Sequence, residues 1–241
     1  MRQSDVVVAL GGDGTLLQAV HLLEGAERPL LGINLGSLGF LTDTPQEDVE
    51  GAFERLLAGN YRLDSRMLIE AEHVRAQRAH VRMTALNEVV LAHGSVAGLL
   101  EISMRAAGVD LGSMLADGII VATPSGSTAY SLSAGGPVVS PRLRALVVTP
   151  ISAHMLSMRP LVVGAEELLE LGVVGAPSDT ARVTIDGRPG CEMRTGERLL
   201  VRRAPRDLQL VVTRDTTFYD TLRAKLGWGR HGRTGGERER G

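Results

Sequence analysis

The sequence predicts an α/β layer joined to a β-rich layered sandwich, and three observations carry that prediction. Residues 1–61 alternate strand-like and helix-like segments. From about residue 62, short β-rich segments separated by turns dominate. The last apolar-striped segment, around Phe218 and Leu222, returns to helix. A chain of 241 residues is long enough to bury one large core or two modest ones.

In chain order, DVVVAL (5–10) is a buried-strand run and TLLQAVHLLEGA (15–26) is helical. PLLGINLG (29–36) is a second strand ending in glycine. TPQEDVEGAFERLLAGN (44–60) opens on acidic residues, puts Val49, Phe53, Leu56 and Leu57 on one face, and stops at Gly59-Asn60. Strand patterns follow in RMLIEAEHV, HVRMTALNEVVLA, LLEISMRAAG, DGIIVAT, ALVVTPI, LLELGVVG, ARVTIDG, RLLVRRA and LQLVVT. In TTFYDTLRAKLGW, Phe218, Leu222 and Leu226 recur every four residues, a stripe expected to pack back on the first layer. The expected organisation is an α/β domain of residues 1–61 plus 215–228, a β-rich domain of 62–214, and a disordered tail, 229–241, made of glycine and charge.

Composition narrows the function classes. The formal net charge is -2, so neither nucleic acid nor an anionic membrane is the default partner. Cys191 is the single cysteine, which excludes an intrachain disulfide and points to a reducing compartment. No apolar run approaches the ~18 residues of a membrane span. A cytoplasmic protein is expected.

Three stretches carry chemistry. In VVVALGGDGTLL, Gly11, Gly12 and Gly14 follow a buried strand and precede a helix. Backbone amides and the helix dipole make such a turn an anion site suited to phosphate. Asp13 within it is unfavourable beside phosphate unless it contacts a bound metal or takes a proton from an attacking hydroxyl. A helix-capping role for Asp13 stays open on this motif alone. In ALNEVVLAHG, Asn87 and Glu88 are adjacent in a strand-like run, so they cannot form one exposed polar stripe. Their donor and acceptor groups suit an adenine edge and a ribose diol, and a solvated strand-end bulge is the alternative. In ADGIIVATPSGSTAYSLSAGGPVVSP, a small-residue turn of Ser125, Gly126, Ser127 and Thr128 opens a short helix around Tyr130. That turn offers backbone donors and hydroxyls. A close-packed backbone crossing is its structural alternative, natural for Gly135 and Gly136.

With TPISAHMLSMRPLVV and FYDTLRAKLGW added, the chain resembles the NAD kinase family in order from about residue 5 to 228. The opening turn is shared with phosphofructokinases and with diacylglycerol and sphingosine kinases of the same superfamily. The TPSGSTAYSLSAGG block is specific to the NAD branch. The resemblance implies a Rossmann-like nucleotide-binding N-terminal domain and phosphoryl transfer from ATP or polyphosphate, with Mg²⁺ bound to the donor. The acceptor is the 2′-hydroxyl of the adenosine ribose of NAD, and the product is NADP. It makes Asp13 the general base and Gly11, Gly12, Gly14 and Thr15 the phosphate cradle. It assigns NAD contacts to Asp13, Gly14, Phe40, Asn87, Glu88, Asp117, Thr128, Ala129, Tyr130, Ser131, Leu132, Ser133 and Arg188. A homodimer or homotetramer is expected, with Asp117 and Ala129 approaching NAD from a neighbouring subunit. Family members usually carry a further strand and helix ahead of this glycine turn, so the chain reads as N-terminally truncated or as a member without that unit. The competing functions are a diacylglycerol- or sphingosine-type lipid kinase and a non-catalytic NAD(P)-binding regulator.

Overall fold

The computed structural model describes residues 4–23, 25–75, 81–94, 98–154, 157–176 and 179–227. The tail expected at 229–241 lies outside them. Strand β1 (Val7–Leu10), helix α1 (Asp13–Leu22) and strand β2 (Leu30–Asn34) form a βαβ unit with the two strands parallel. All of β2 is buried, because both its faces are covered. On one face, Leu16, Ala19 and Leu23 of the α1 region pack against Ala9, Leu30, Leu41 and Leu86. On the other, Leu31 and Ile33 meet Val49 and Leu56. Those two residues lie on α2 (Val49–Leu57), which follows the short β3 (Thr44–Pro45).

The β-rich region continues with β4 (Arg62–Val74), β5 (Val81–Ala85), β6 (Glu88–His93), β7 (Leu100–Ala106), β8 (Val109–Ala116) and β9 (Gly118–Ala122). After the short helix α3 (Tyr130–Ser133) come β10 (Ala145–Ile151), β11 (Leu161–Gly164), β12 (Leu169–Gly175), β13 (Thr180–Ile185), β14 (Arg188–Arg194) and β15 (Arg198–Val212). One sheet has the order β1-β2-β15-β12-β7-β8, with β4 and β5 continuing from β15; the other runs β11-β10-β9-β6-β13-β14. Their facing sides interdigitate Ile69, Ile102, Leu171 and Leu199 with Leu91, Ile119, Leu146 and Val183.

The long antiparallel pair β4–β15 runs through both layers. Leu199 and Val201 of β15 sit in the sandwich core, whereas Leu208 and Leu210 sit under α1. The register shifts between Arg203 and Asp207, where the strand passes from one core to the other. A boundary at residue 62 or 214 therefore cuts one continuous sheet. Helix α4 (Phe218–Leu226) starts on a capping box, Thr217 with Asp220, and ends on left-handed Gly227. Leu222 is buried and Phe218 meets Phe40, but Leu226 is 38% exposed and contributes little to the expected stripe. Among the described residues no helix is long and apolar enough to cross a membrane.

Candidate active site

The glycine turn joins β1 to α1, with Gly12 as the N-cap and no side-chain cap. Asp13 is thus the first helical residue and does not cap. Its carboxylate points instead at the segment after β2. Oδ1 accepts from the amides of Leu41 (3.0 Å) and Thr42 (3.1 Å) and from the Thr42 hydroxyl (3.1 Å). Among the described residues Oδ2 accepts only from the amide of Phe40, at 2.8 Å. A carboxylate has about four acceptor positions, two on each oxygen, so Oδ1 is saturated and Oδ2 keeps one position open. Gly39 makes this approach possible, since a Cβ there would strike the Asp13 carboxylate. The Phe40 ring lies 6.0 Å from Phe218 and under Lys225, whose Nζ is 5.0 Å from the ring centroid. Phe40 and Leu41 also line a cavity of about 130 Å³ with Arg62, Arg66, Arg142 and Phe218.

Asn87 and Glu88 are both buried, at 8% and 6% exposure, which removes the solvated-bulge alternative. They occupy a corner held from two sides. From the first, Thr123 donates its amide to the Asn87 carbonyl (2.8 Å) and its hydroxyl to the Leu86 carbonyl (2.6 Å). Gly126 then passes so close that a Cβ would overlap the Asn87 backbone. The close backbone crossing thus occurs at Gly126; of the two glycines expected to serve it, Gly136 is tightly packed against Ser131 and Thr149, whereas a Cβ at Gly135 would meet nothing. From the second side, Asp186 accepts from the amides of Leu86 (2.9 Å), Asn87 (2.7 Å) and Glu88 (3.0 Å).

Glu88 Oε2 is buried without a hydrogen-bond partner among the described residues. Burial, and then the charge of Asp186, push the Glu88 carboxyl up to about 7, against the opposing pull of the Tyr130 amide. The fold therefore prefers protonated Glu88. Its stabilising contribution is complete below the ordinary 4.5 and is lost as pH rises through about 7. Glu88→Gln is expected to flatten this dependence, so that its melting temperature falls less than the wild type's between about pH 5 and about pH 8. Parallel melting curves over that range would contradict it.

The ATP-NAD kinase N-terminal domain family matches residues 1–61, and the ATP-NAD kinase C-terminal domain family matches residues 86–213. A NAD kinase of Heliobacterium modesticaldum is 44% identical over 230 residues, 95% of this chain and 81% of that one. One from Gemmatimonas aurantiaca is 43% identical over 226 residues, 93% and 78% of the two chains. The chain belongs to the NAD kinase family. Among solved members, yeast NADH kinase complexed with NADH superposes with a TM-score of 0.90 at 26% identity, over 96% of this chain and 69% of that one. The Archaeoglobus fulgidus NAD kinase in complex with ATP gives 0.78 at 27% identity, over 94% and 84%.

Within this NAD kinase fold the residues expected at the site fall into three groups. Asp13 and Phe40 are joined directly by a hydrogen bond. Asn87 and Glu88 are joined to the block holding Thr128, Ala129, Tyr130, Ser131, Leu132 and Ser133 through Thr123, Gly126 and the Tyr130 amide. Ser131 is buried, donating to or accepting from Thr149 at 2.8 Å, and Tyr130 is exposed. Asp117, half-buried between β8 and β9, and Arg188, exposed at the start of β14, take part in none of these contacts. Two residues that contact the expected site segments escaped the sequence reading. Arg66, buried and paired with Asp64 at 2.8 Å, donates to the Ser125 hydroxyl at 3.3 Å. Asp186 clamps the Asn87–Glu88 corner; its only sequence signal was Asp-Gly after a strand.

Proposed function

We propose that this chain phosphorylates the 2′-hydroxyl of the adenosine ribose of NAD, using ATP or polyphosphate, and releases NADP. The observation that carries the reading is the Asp13 carboxylate, oriented at a glycine turn with one acceptor position of Oδ2 left open. A hydroxyl donating to that position is aligned to pass its proton to Oδ2 as its oxygen bonds to the terminal phosphorus and the bridging P–O bond of the donor breaks. The Gly11 amide already donates to the Ile33 carbonyl (2.9 Å) and the Thr15 amide to the Gly12 carbonyl (3.0 Å), so in this reading the amides of Gly12 and Gly14 receive phosphate oxygens at the start of α1, where the helix dipole favours negative charge. Asn87 and Glu88 hold the adenosine, with Glu88 Oε2 free to accept from a ribose hydroxyl. Phe40, Asp117, Thr128 to Ser133 and Arg188 complete the dinucleotide contacts in this reading.

Among the described residues no three His, Cys, Asp or Glu side chains converge as a metal site would need. In this reading Mg²⁺ is bound with the donor, on its phosphate oxygens, where it neutralises charge. A cytoplasmic homodimer or homotetramer is part of the same proposal, the reducing compartment following from the lone Cys191.

The test offers radiolabelled ATP and, in parallel, radiolabelled polyphosphate, each with NAD, diacylglycerol or sphingosine as acceptor. Label entering the dinucleotide alone supports the proposal; label entering lipid, or none transferred, rejects it. Asn87→Ala and Glu88→Ala are expected to weaken NAD binding about tenfold to a hundredfold, equivalent to losing ~1–3 kcal/mol each. Calorimetry giving wild-type affinity for both would remove these residues from the site.

A further inference from the structure

Asp186 heads the Asp186-Gly187 connection between β13 and β14, with positive φ of 47° and 75° at the two residues. Asp-Gly is the chemistry of a two-residue hairpin, and an Asp in that turn has no need of a buried side chain. This one is fully buried. Its two oxygens gather three amides from a segment about a hundred residues earlier in the chain, Leu86, Asn87 and Glu88. Without it, three buried N–H groups at the edge of the candidate NAD site would be orphaned. A fourth group approaches from α1: His21 Nε2 stands 3.2 Å from Oδ2, off the hydrogen-bond direction and with no other partner among the described residues. Helix α1 therefore carries Asp13 at its first turn and meets Asp186 at its last.

We propose that Asp186 is a positioning residue: its carboxylate fixes the pose of Asn87 and Glu88 and holds a negative charge against Glu88. The inference rests on the NAD kinase reading above. The groups facing Glu88 are Asp186 from the β13–β14 turn, which repels, and the Tyr130 amide of α3, which attracts; His21 of α1 stands behind Asp186. Ionised Glu88 is the better acceptor for ribose hydroxyls. NAD affinity should therefore rise as pH increases through the range where Glu88 ionises, near 7. Removing the neighbouring charge moves that rise toward acid, since like charges disfavour ionisation.

The experiment is calorimetric NAD affinity against pH for the wild type, Asp186→Asn and Glu88→Gln. Asn tolerates the positive φ of this turn. Asp186→Asn is expected to bind about tenfold more weakly at high pH, with the midpoint of the rise ~1 pH unit lower. Glu88→Gln should lose the rise altogether. A folded Asp186→Asn with weaker binding and an unmoved midpoint would reduce Asp186 to scaffolding and overturn the proposal. Because that variant can fail to fold, amide exchange is measured on the wild type as well. Strong joint protection at residues 86–88 supports the clamp, and exchange at the rate of open amides overturns it. A wild type that binds no NAD would defeat the functional reading, and amide exchange would still decide the clamp.

Discussion

Asp13→Asn is expected to cut the rate of NADP formation by ~10²–10⁴ while NAD affinity changes less than tenfold. The argument is atomic. Among the described residues, Oδ1 of Asp13 is filled by the amides of Leu41 and Thr42 and the Thr42 hydroxyl, and Oδ2 by the Phe40 amide alone. An amide oxygen can replace one of these acceptors, but an amide nitrogen then faces N–H donors and has no basic lone pair to offer a hydroxyl. The variant therefore loses the proton acceptor and loosens the Phe40 segment, which still packs on Phe218 and Lys225. Rate and affinity measured together separate the two effects. Loss of affinity with the rate at saturating NAD unchanged would make Asp13 an anchor for the loop and not a base.

Gly126→Ala is expected to damage both fold and site. Gly126 is buried, and a Cβ would overlap the carbonyl oxygen, carbonyl carbon and Cα of Asn87, backbone atoms that cannot swing aside as a side chain can. Forcing extra volume into such a contact costs ~1–3 kcal/mol or more. At this size that corresponds to a melting temperature lower by about 2–4 °C per kcal/mol. The displaced backbone is that of the Asn87–Glu88 corner, so NAD affinity should fall by at least about tenfold, as if one of its hydrogen bonds were lost. A variant melting and binding like the wild type would show that the turn and the corner are not coupled.

The sequence revealed elements whose signals are local. The acidic opening and Gly59-Asn60 stop around Val49, and the stripe through Phe218 and Leu222, located α2 and α4 within a few residues of their ends. It hid β8, because Val109, Asp110, Leu111, Gly112 and Ser113 are all exposed on an edge strand and carry no alternation. It also hid β14, where Pro189, Gly190 and Cys191 interrupt any strand pattern. The chemistry divides along the same line. Asp13, Asn87 and Glu88 stood out as polar residues in runs that should be apolar. Asp186 and Arg66 act across 98 and 59 residues of sequence, and no local pattern records such a contact. Leu208 and Leu210 read correctly as a strand, yet nothing local says that this strand leaves the sandwich core and runs beneath α1.

The most direct measurement of the central claim is the product formed from NAD, ATP and Mg²⁺, read by a cycling assay that responds to NADP and not to NAD, with wild type and Asp13→Asn side by side. The account predicts NADP accumulating with the wild type and slowed by ~10²–10⁴ with the variant. Equal NADP production by the two proteins, or a wild type that binds NAD and returns it unphosphorylated with both ATP and polyphosphate, would contradict it.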